Sequence, residues 1–159
     1  LAVVLLVGVA CGGPPAAGGA PGTGVVTAVI DGDTVDVEVG GGAVERVRLI
    51  GIDTPESVDR DRPVECHGPE ASALLAALLP AGTTVRLERD AEARDRYGRL
   101  LAYVFRDDGL FVNEAIAAAG EAEILEIPPN TAYGPQLRAA VGVARTERVG
   151  LWGECRAPP

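Results

Sequence analysis

The chain has 159 residues and a mass of 16.3 kDa, which is enough for one domain and too little for two. Hydrophobic residues make up 47% and charged residues 23%, a composition outside the range of intrinsically disordered chains. The 14 basic side chains are all Arg and face 23 acids, so the formal charge is −9; this excludes a uniform electrostatic coat for duplex DNA and confines any affinity for nucleic acid to a local patch.

In chain order, residues 1–10 are apolar or small without interruption and end at Cys11. The run is too short to span a bilayer and matches the apolar region of an export signal. Because the sequence contains no Met, a basic segment is expected ahead of Leu1. Cys11 follows small residues and precedes a Gly/Pro/Ala-rich tether reaching Gly24, as at the cleavage site of a bacterial lipoprotein, although Gly8 stands where such sites usually carry a large aliphatic residue. Residues 1–24 are thus read as leader and tether. Lipidation of Cys11 and an ordinary cleaved signal both fit them.

The domain is expected over residues 25–156. Val25–Ile30 reads as a strand, and the turn Asp31-Gly32 leads into Val35, Val37 and Val39, which alternate with Asp36 and Glu38. After a turn at Gly40–Gly42, Val44–Ile52 forms a third strand, with Arg46 and Arg48 on one face and Val47 and Leu49 on the other. Thr83–Arg89 and Leu100–Arg106 supply two more strands, separated by the loop Asp95-Arg96-Tyr97-Gly98. Helices are predicted at Pro69–Leu79, stopped by Pro80, at Leu110–Ala119, stopped by Gly120, and at Pro135–Val149. Five short strands with interleaved helices describe an α+β domain, most economically a Greek-key β-barrel with three α-helices packed around it.

Two acidic segments, Asp31-Gly32-Asp33-Thr34 and Asp53-Thr54-Pro55-Glu56, stand where strands give way to loops. Singly, each is also an ordinary hairpin turn or strand exit. Together, Asp33 and Asp53 would offer hard oxygen ligands that suit Ca²⁺ better than Zn²⁺. A hard cation beside Arg48 and Arg99, with Glu56 as a base for water, is the equipment that phosphodiester hydrolysis needs. Negative charge accumulates on the phosphoryl oxygens in its transition state, and forked guanidiniums placed beforehand stabilise that charge. The competing reading of each Arg is an exposed strand residue paired with a nearby acid.

The segments VIDGDTVDVEV, VRLIGIDTPE, DRYGRLLAYVF, VNEAIAAAG and ARTERVGLW, in this order, resemble the thermonuclease family, of which staphylococcal nuclease is typical, and the resemblance covers the chain from Val25 to Trp152. The resemblance implies a five-stranded OB-fold barrel with three helices and Ca²⁺-dependent cleavage of DNA and RNA, single strands favoured, leaving 3′-phosphate ends. It implies that Asp33, Asp53 and the backbone carbonyl of Thr54 hold calcium, that Arg48, Glu56 and Arg99 are catalytic, and that Tyr97 lies beside the nucleotide.

There are departures. The stretch EAEILEIPPN after Gly120 lacks the aromatic pair that the family's type member offers a base, and Glu126 stands in that region. Stacking is worth about 1–3 kcal/mol per base, so weaker or differently selective binding is expected. Arg86, Arg89, Arg94 and Arg96 interleave with Glu88, Asp90, Glu92 and Asp95 and read as a solvated charge cluster. Cys66-His67 has no second ligand pair at zinc spacing. Cys66 and Cys155 are instead expected to form a disulfide, since Leu151-Trp152-Gly153 should pack back on the domain and an exported chain meets an oxidising compartment. His67 is read as a loop residue without a visible partner. The reading is of a monomer, either secreted or tethered through Cys11 to the outer face of a bacterial membrane. The alternative is an OB-fold module that binds nucleic acid without cleaving it.

Overall fold

A computed structural model describes residues 22–57 and 63–155. The leader, the tether up to Pro21 and Cys11 lie outside the described residues. Five strands close a barrel: β1 (Gly22–Val29), β2 (Thr34–Val39), β3 (Ala43–Leu49), β5 (Thr84–Glu88) and β6 (Leu100–Arg106), in the order β1-β2-β3-β6-β5 with β5 returning to β1. All pairings are antiparallel except β3 with β6, which run parallel with Arg48 opposite Leu101. Strand β1 begins at Gly22 rather than Val25, and its register shifts between Val26 and Ala28 as it bends around the barrel. The fold is the predicted α+β barrel, with helices α1 (Gly68–Leu78), α2 (Val112–Ala118) and α3 (Gly134–Glu147) packed against it.

The barrel interior follows from strand alternation. Val26, Val35, Val37, Val47, Leu49, Val85, Leu87, Ala102 and Val104 are buried, and Leu75, Ile116 and Leu137 from the helices and Leu79 just after α1 join the same core. Full burial of each Val or Leu contributes roughly 1.5–3 kcal/mol, so the helices stay docked through these few side chains. Tyr103, Phe105, Phe111 and Tyr133 form an edge-and-stack cluster where β6 meets α2 and α3.

The structure departs from the sequence expectation at the predicted strand Val44–Ile52. It breaks at Ile50, and Gly51, with φ of +85°, swings the chain into a separate strand, β4 (Gly51–Asp53), which pairs with β7 (Glu123–Leu125) instead of continuing in the barrel. Only glycine enters that backbone region without strain, and an added Cβ would lie 2.5 Å from Leu137. The break is stitched by Asn113 of α2, fully buried, whose amide donates to the carbonyl of Ile50 at 2.9 Å and accepts from the N–H of Val104 at 3.0 Å. The basic face expected on this strand is also absent. Arg46 lies at the surface, paired with Asp36, whereas Arg48 is buried beneath the turn into β4.

At the far end, a one-turn helix, α4 (Leu151–Glu154), follows α3 and brings Cys155 to Cys66, to which it is disulfide-bonded across 89 residues. His67, next to that bond, is not the partnerless loop residue expected. It is buried, with φ of 68°, and its Nδ1 lies 2.8 Å from Glu121 while Nε2 lies 3.4 Å from Glu154. Burial disfavours its charge, but the two carboxylates outweigh that and raise its pKa above the ordinary imidazole value.

Candidate active site

Asp33 closes the turn between β1 and β2 and is only 5% exposed. Its Oδ1 accepts from the Thr34 hydroxyl at 3.0 Å, and its Oδ2 accepts from both the backbone N–H and the hydroxyl of Thr54, at 3.0 and 3.1 Å. One carboxylate thus locks the first acidic turn onto the start of the second. Gly32 makes this possible, because a Cβ there would lie 2.5 Å from the Thr54 hydroxyl.

Arg48 lies between the two acidic segments. Its Nη1 donates to the carbonyls of Leu49 and Ile52, each at 2.9 Å, and Nη2 lies 2.6 Å from Asp53 and 3.0 Å from Asp33. An Arg 8% exposed is tolerable because two carbonyls and two carboxylates surround its guanidinium. The exposed-strand reading of Arg48 is therefore wrong: at the end of β3, where the chain turns into β4, both faces are covered.

Arg99 comes from the turn before β6. Asp95 accepts from its backbone N–H at 3.0 Å and from Nε at 2.7 Å. Burial works against the Asp95 charge, but the Arg99 guanidinium and the N–H groups of Arg99 and Tyr97 hold the carboxyl below its usual range. Tyr97 is 68% exposed, with the guanidinium of Arg96 4.8 Å and that of Arg99 5.5 Å from its ring centroid. Elsewhere in the charge cluster, Arg86 pairs with Glu88 and Arg94 with Glu45, as a solvated face does, but Asp90 is buried rather than solvated and accepts from the Tyr103 hydroxyl and the Ala132 N–H.

Glu56 follows Pro55 on the strand exit. Its Oε1 accepts from the N–H of Ser57 at 2.9 Å, and its own N–H donates to the carboxylate of Glu65 at 2.9 Å. Asp33, Arg48, Asp53, Thr54, Glu56, Tyr97 and Arg99 all line one cavity of about 700 Å³. Of the residues singled out in the sequence, Cys66 and Cys155 stand apart from it as the disulfide, and Cys11 is outside the described residues.

Among the contributors to this wall that sequence reasoning missed are Asp31, Glu65, Leu125 and Ile127. Asp31 was visible as the first acid of Asp-Gly-Asp. The other three carry no local signal, because the chain reversal that places them is not periodic. Leu125 and Ile127, both exposed, present aliphatic surface where an aromatic pair was sought, while Glu126 pairs with Arg138.

The donor set suits a hard cation. Asp31, Asp33 and Asp53 offer only oxygen, and the Asp31 carboxyl is held above its usual range, by burial first and then by the adjacent Asp33 charge, a crowding that a cation would relieve. Among the described residues the cavity wall carries seven carboxylates against three guanidiniums. No group of three or more His, Cys, Asp or Glu side chains among the described residues forms a ready metal cage, so a cation here would complete its shell with backbone oxygen and water.

The sequence signature described as Staphylococcal nuclease homologue matches residues 46–154. The chain is 41% identical over 128 residues to a thermonuclease of Staphylococcus intermedius, covering 80% of this chain and 74% of that protein. It is 39% identical over 127 residues to a thermonuclease of Staphylococcus hyicus, covering 80% and 73%. An SPbeta prophage-derived endonuclease of Bacillus subtilis is 37% identical over 127 residues, which span 79% of this chain and 42% of that longer protein.

Proposed function

The chain belongs to the staphylococcal nuclease family, and from that premise we propose that it is a calcium-dependent endonuclease that hydrolyses the phosphodiester bonds of DNA and RNA to 3′-phosphate ends. The observation that carries this reading is that the guanidiniums of Arg48 and Arg99, the Glu56 carboxylate and the three hard carboxylates of Asp31, Asp33 and Asp53 line a single cavity wall. A module that only binds nucleic acid has no use for Glu56 beside Asp33 and Asp53.

In this reading Asp33, Asp53 and the Thr54 carbonyl hold Ca²⁺, with Asp31 adding charge behind Asp33. The ion, when bound, supplies Lewis-acid polarisation of a phosphoryl oxygen and lowers the pKa of nearby water. Glu56 takes the proton from the attacking water, which adds to phosphorus as the 5′ oxygen departs. Arg48, already tied to Asp53 and Asp33, and Arg99, oriented by Asp95, present N–H groups to the phosphoryl oxygens as charge builds on them. Tyr97 offers its exposed ring to the sugar or base next to the scissile phosphate.

The test compares wild type, Glu56→Gln and Arg99→Lys on a single-stranded DNA oligonucleotide with Ca²⁺ or with chelator, folding being checked by circular dichroism. Glu56→Gln is expected to lose about 10²-fold or more in turnover with binding retained, and Arg99→Lys to lose turnover because the fork is gone. Product ends are identified by their shift on phosphatase treatment. Equal rates in all three folded proteins would replace the enzyme by the binding module. Export belongs to the same proposal: the apolar run before Cys11 and a disulfide support an oxidising compartment. Mass spectrometry of the mature N-terminus decides the lipid tether at Cys11, and an unmodified start beyond it removes the tether.

A further inference from the structure

Glu56 sits on a loop, and a general base on a loop is useful only if something fixes it. Among the described residues, two of its backbone restraints come from Glu65. Glu65 takes the Glu56 backbone from both sides: its carboxylate Oε2 accepts from the Glu56 N–H at 2.9 Å, and its own N–H donates to the Glu56 carbonyl at 2.8 Å. The Gly68 N–H then donates to the Glu65 carbonyl at 3.0 Å, and Gly68 approaches Glu56 so closely that an added Cβ would be 2.4 Å from the Glu56 carbonyl oxygen. One residue further on, the Ser57 hydroxyl meets that of Ser72 on α1 at 2.7 Å. The Glu56 segment is therefore clipped to the start of α1 by Glu65, Gly68 and Ser72.

The start of α1 is itself tied down. Cys66, directly after Glu65, is bonded to Cys155 beyond α4, and His67 contacts Glu121 before β7 and Glu154 of α4. Among the described residues no hydrogen bond or ion pair joins Glu65 or the disulfide to Arg48, Arg99 or Asp33, so apart from the charge that Glu65 adds to the cavity wall their route to the chemistry runs through Glu56.

We propose that Glu65 is the positioning residue of the site, holding Glu56 in place through its paired backbone hydrogen bonds, and that the Cys66–Cys155 disulfide is the anchor that keeps Glu65 there. The assignment rests on the nuclease reading for its effect on rate, but the mechanical link does not. A displacement near 1 Å of a reacting group can cost about 10²-fold in rate, so a residue that fixes a base by two hydrogen bonds, one through its carboxylate and one through its backbone N–H, has leverage without contacting substrate.

The test uses the full chain as wild type, Glu65→Ala, Glu65→Gln and the Cys66→Ser/Cys155→Ser pair. Hydrogen exchange at the Glu56 amide is read without substrate, and kcat and KM are read on single-stranded DNA with Ca²⁺. Glu65→Ala should speed exchange at that amide and lower kcat by about 10- to 100-fold. Glu65→Gln should restore both, because its carboxamide oxygen can accept the same hydrogen bond. Both substitutions remove a negative charge from the cavity wall and share any resulting change in KM, so kcat separates the hydrogen bond from the charge. The serine pair, while folded, should fall between wild type and Glu65→Ala in exchange and in kcat. Unchanged exchange in Glu65→Ala, a Gln variant no better than Ala, or wild-type kcat and exchange in the folded serine pair would each overturn the assignment. Protection that depends on Glu65 in a chain with no nuclease activity would support the link and overturn the enzyme reading instead.

Discussion

At the scale of the residue, Arg48 and His67 show how far partners distant in sequence redefine a side chain. Arg48 makes three hydrogen bonds, to the carbonyls of Leu49 and Ile52 and to Asp53, and an ion pair with Asp33. A Lys carries one ammonium on a longer, unforked stem and cannot serve both pairs. Arg48→Lys is expected to lose turnover and also about 1–3 kcal/mol of stability for each group left unsatisfied, visible as a lowered midpoint in urea denaturation. An unchanged midpoint with lost activity would show that the ammonium reaches both pairs after all. His67 has a pKa raised in the folded state by Glu121 and Glu154 against the opposing effect of burial. A raised folded pKa means that the contribution is complete below the ordinary imidazole value and is lost as pH climbs through the folded one. The stability advantage of wild type over His67→Asn, a residue that tolerates the same left-handed backbone, should therefore be larger in mildly acidic buffer and shrink on alkalinisation. A difference constant with pH would remove the ionic role.

At the scale of the element, the break between β3 and β4 decides whether a site forms. Gly51 permits the turn, and β4 then carries Asp53 and Thr54 to Asp33 and Arg48. Gly51→Ala meets both an unfavourable backbone region and the Leu137 side chain. It should cost about 1–3 kcal/mol from the backbone alone, and it should weaken Ca²⁺ binding measured calorimetrically; intact metal affinity in a destabilised protein would separate the turn from the site. The break was illegible in the sequence because Val44–Ile52 is continuously strand-like and a single Gly inside such a run signals no more than a bulge. Strands of three residues such as β7 are too short for periodicity to register, and α4 is a single turn. The long elements were legible for the opposite reason: Leu100–Arg106 appears with the predicted ends, since alternation and flanking turns agree there. The acidic segments and both arginines could be named from residue chemistry. That Arg48 is buried, that Glu65 grips Glu56 and that His67 has two acidic neighbours required the tertiary structure, because none of these contacts follows a helix or strand period and those of His67 reach 54 and 87 residues along the chain.

At the scale of the whole molecule, two devices hold a small domain together: the closed barrel, which leaves no free edge in its main sheet, and the disulfide, which joins α1 to the end of α4. A bond closing 89 residues restricts the unfolded chain by an amount that corresponds to about 4–5 kcal/mol. Cys66→Ser/Cys155→Ser should lower the free energy of unfolding by that order at neutral pH. A loss below about 1 kcal/mol would mean that the reduced unfolded chain is already compact.

The parallel pairing of β3 with β6 has a temporal consequence. Arg48 ends one of these strands and Arg99 precedes the other, and the pairing that brings them to one cavity joins segments about fifty residues apart, with α1 and β5 in between. Hairpins such as β1–β2 close early because their loops are short, whereas a pairing of this separation waits on the loop entropy of everything it encloses. During synthesis the first three strands can associate as soon as they emerge, yet the second guanidinium arrives only with β6. A growing chain therefore carries no complete cavity, and whatever chemistry the finished molecule performs is withheld until the barrel has shut.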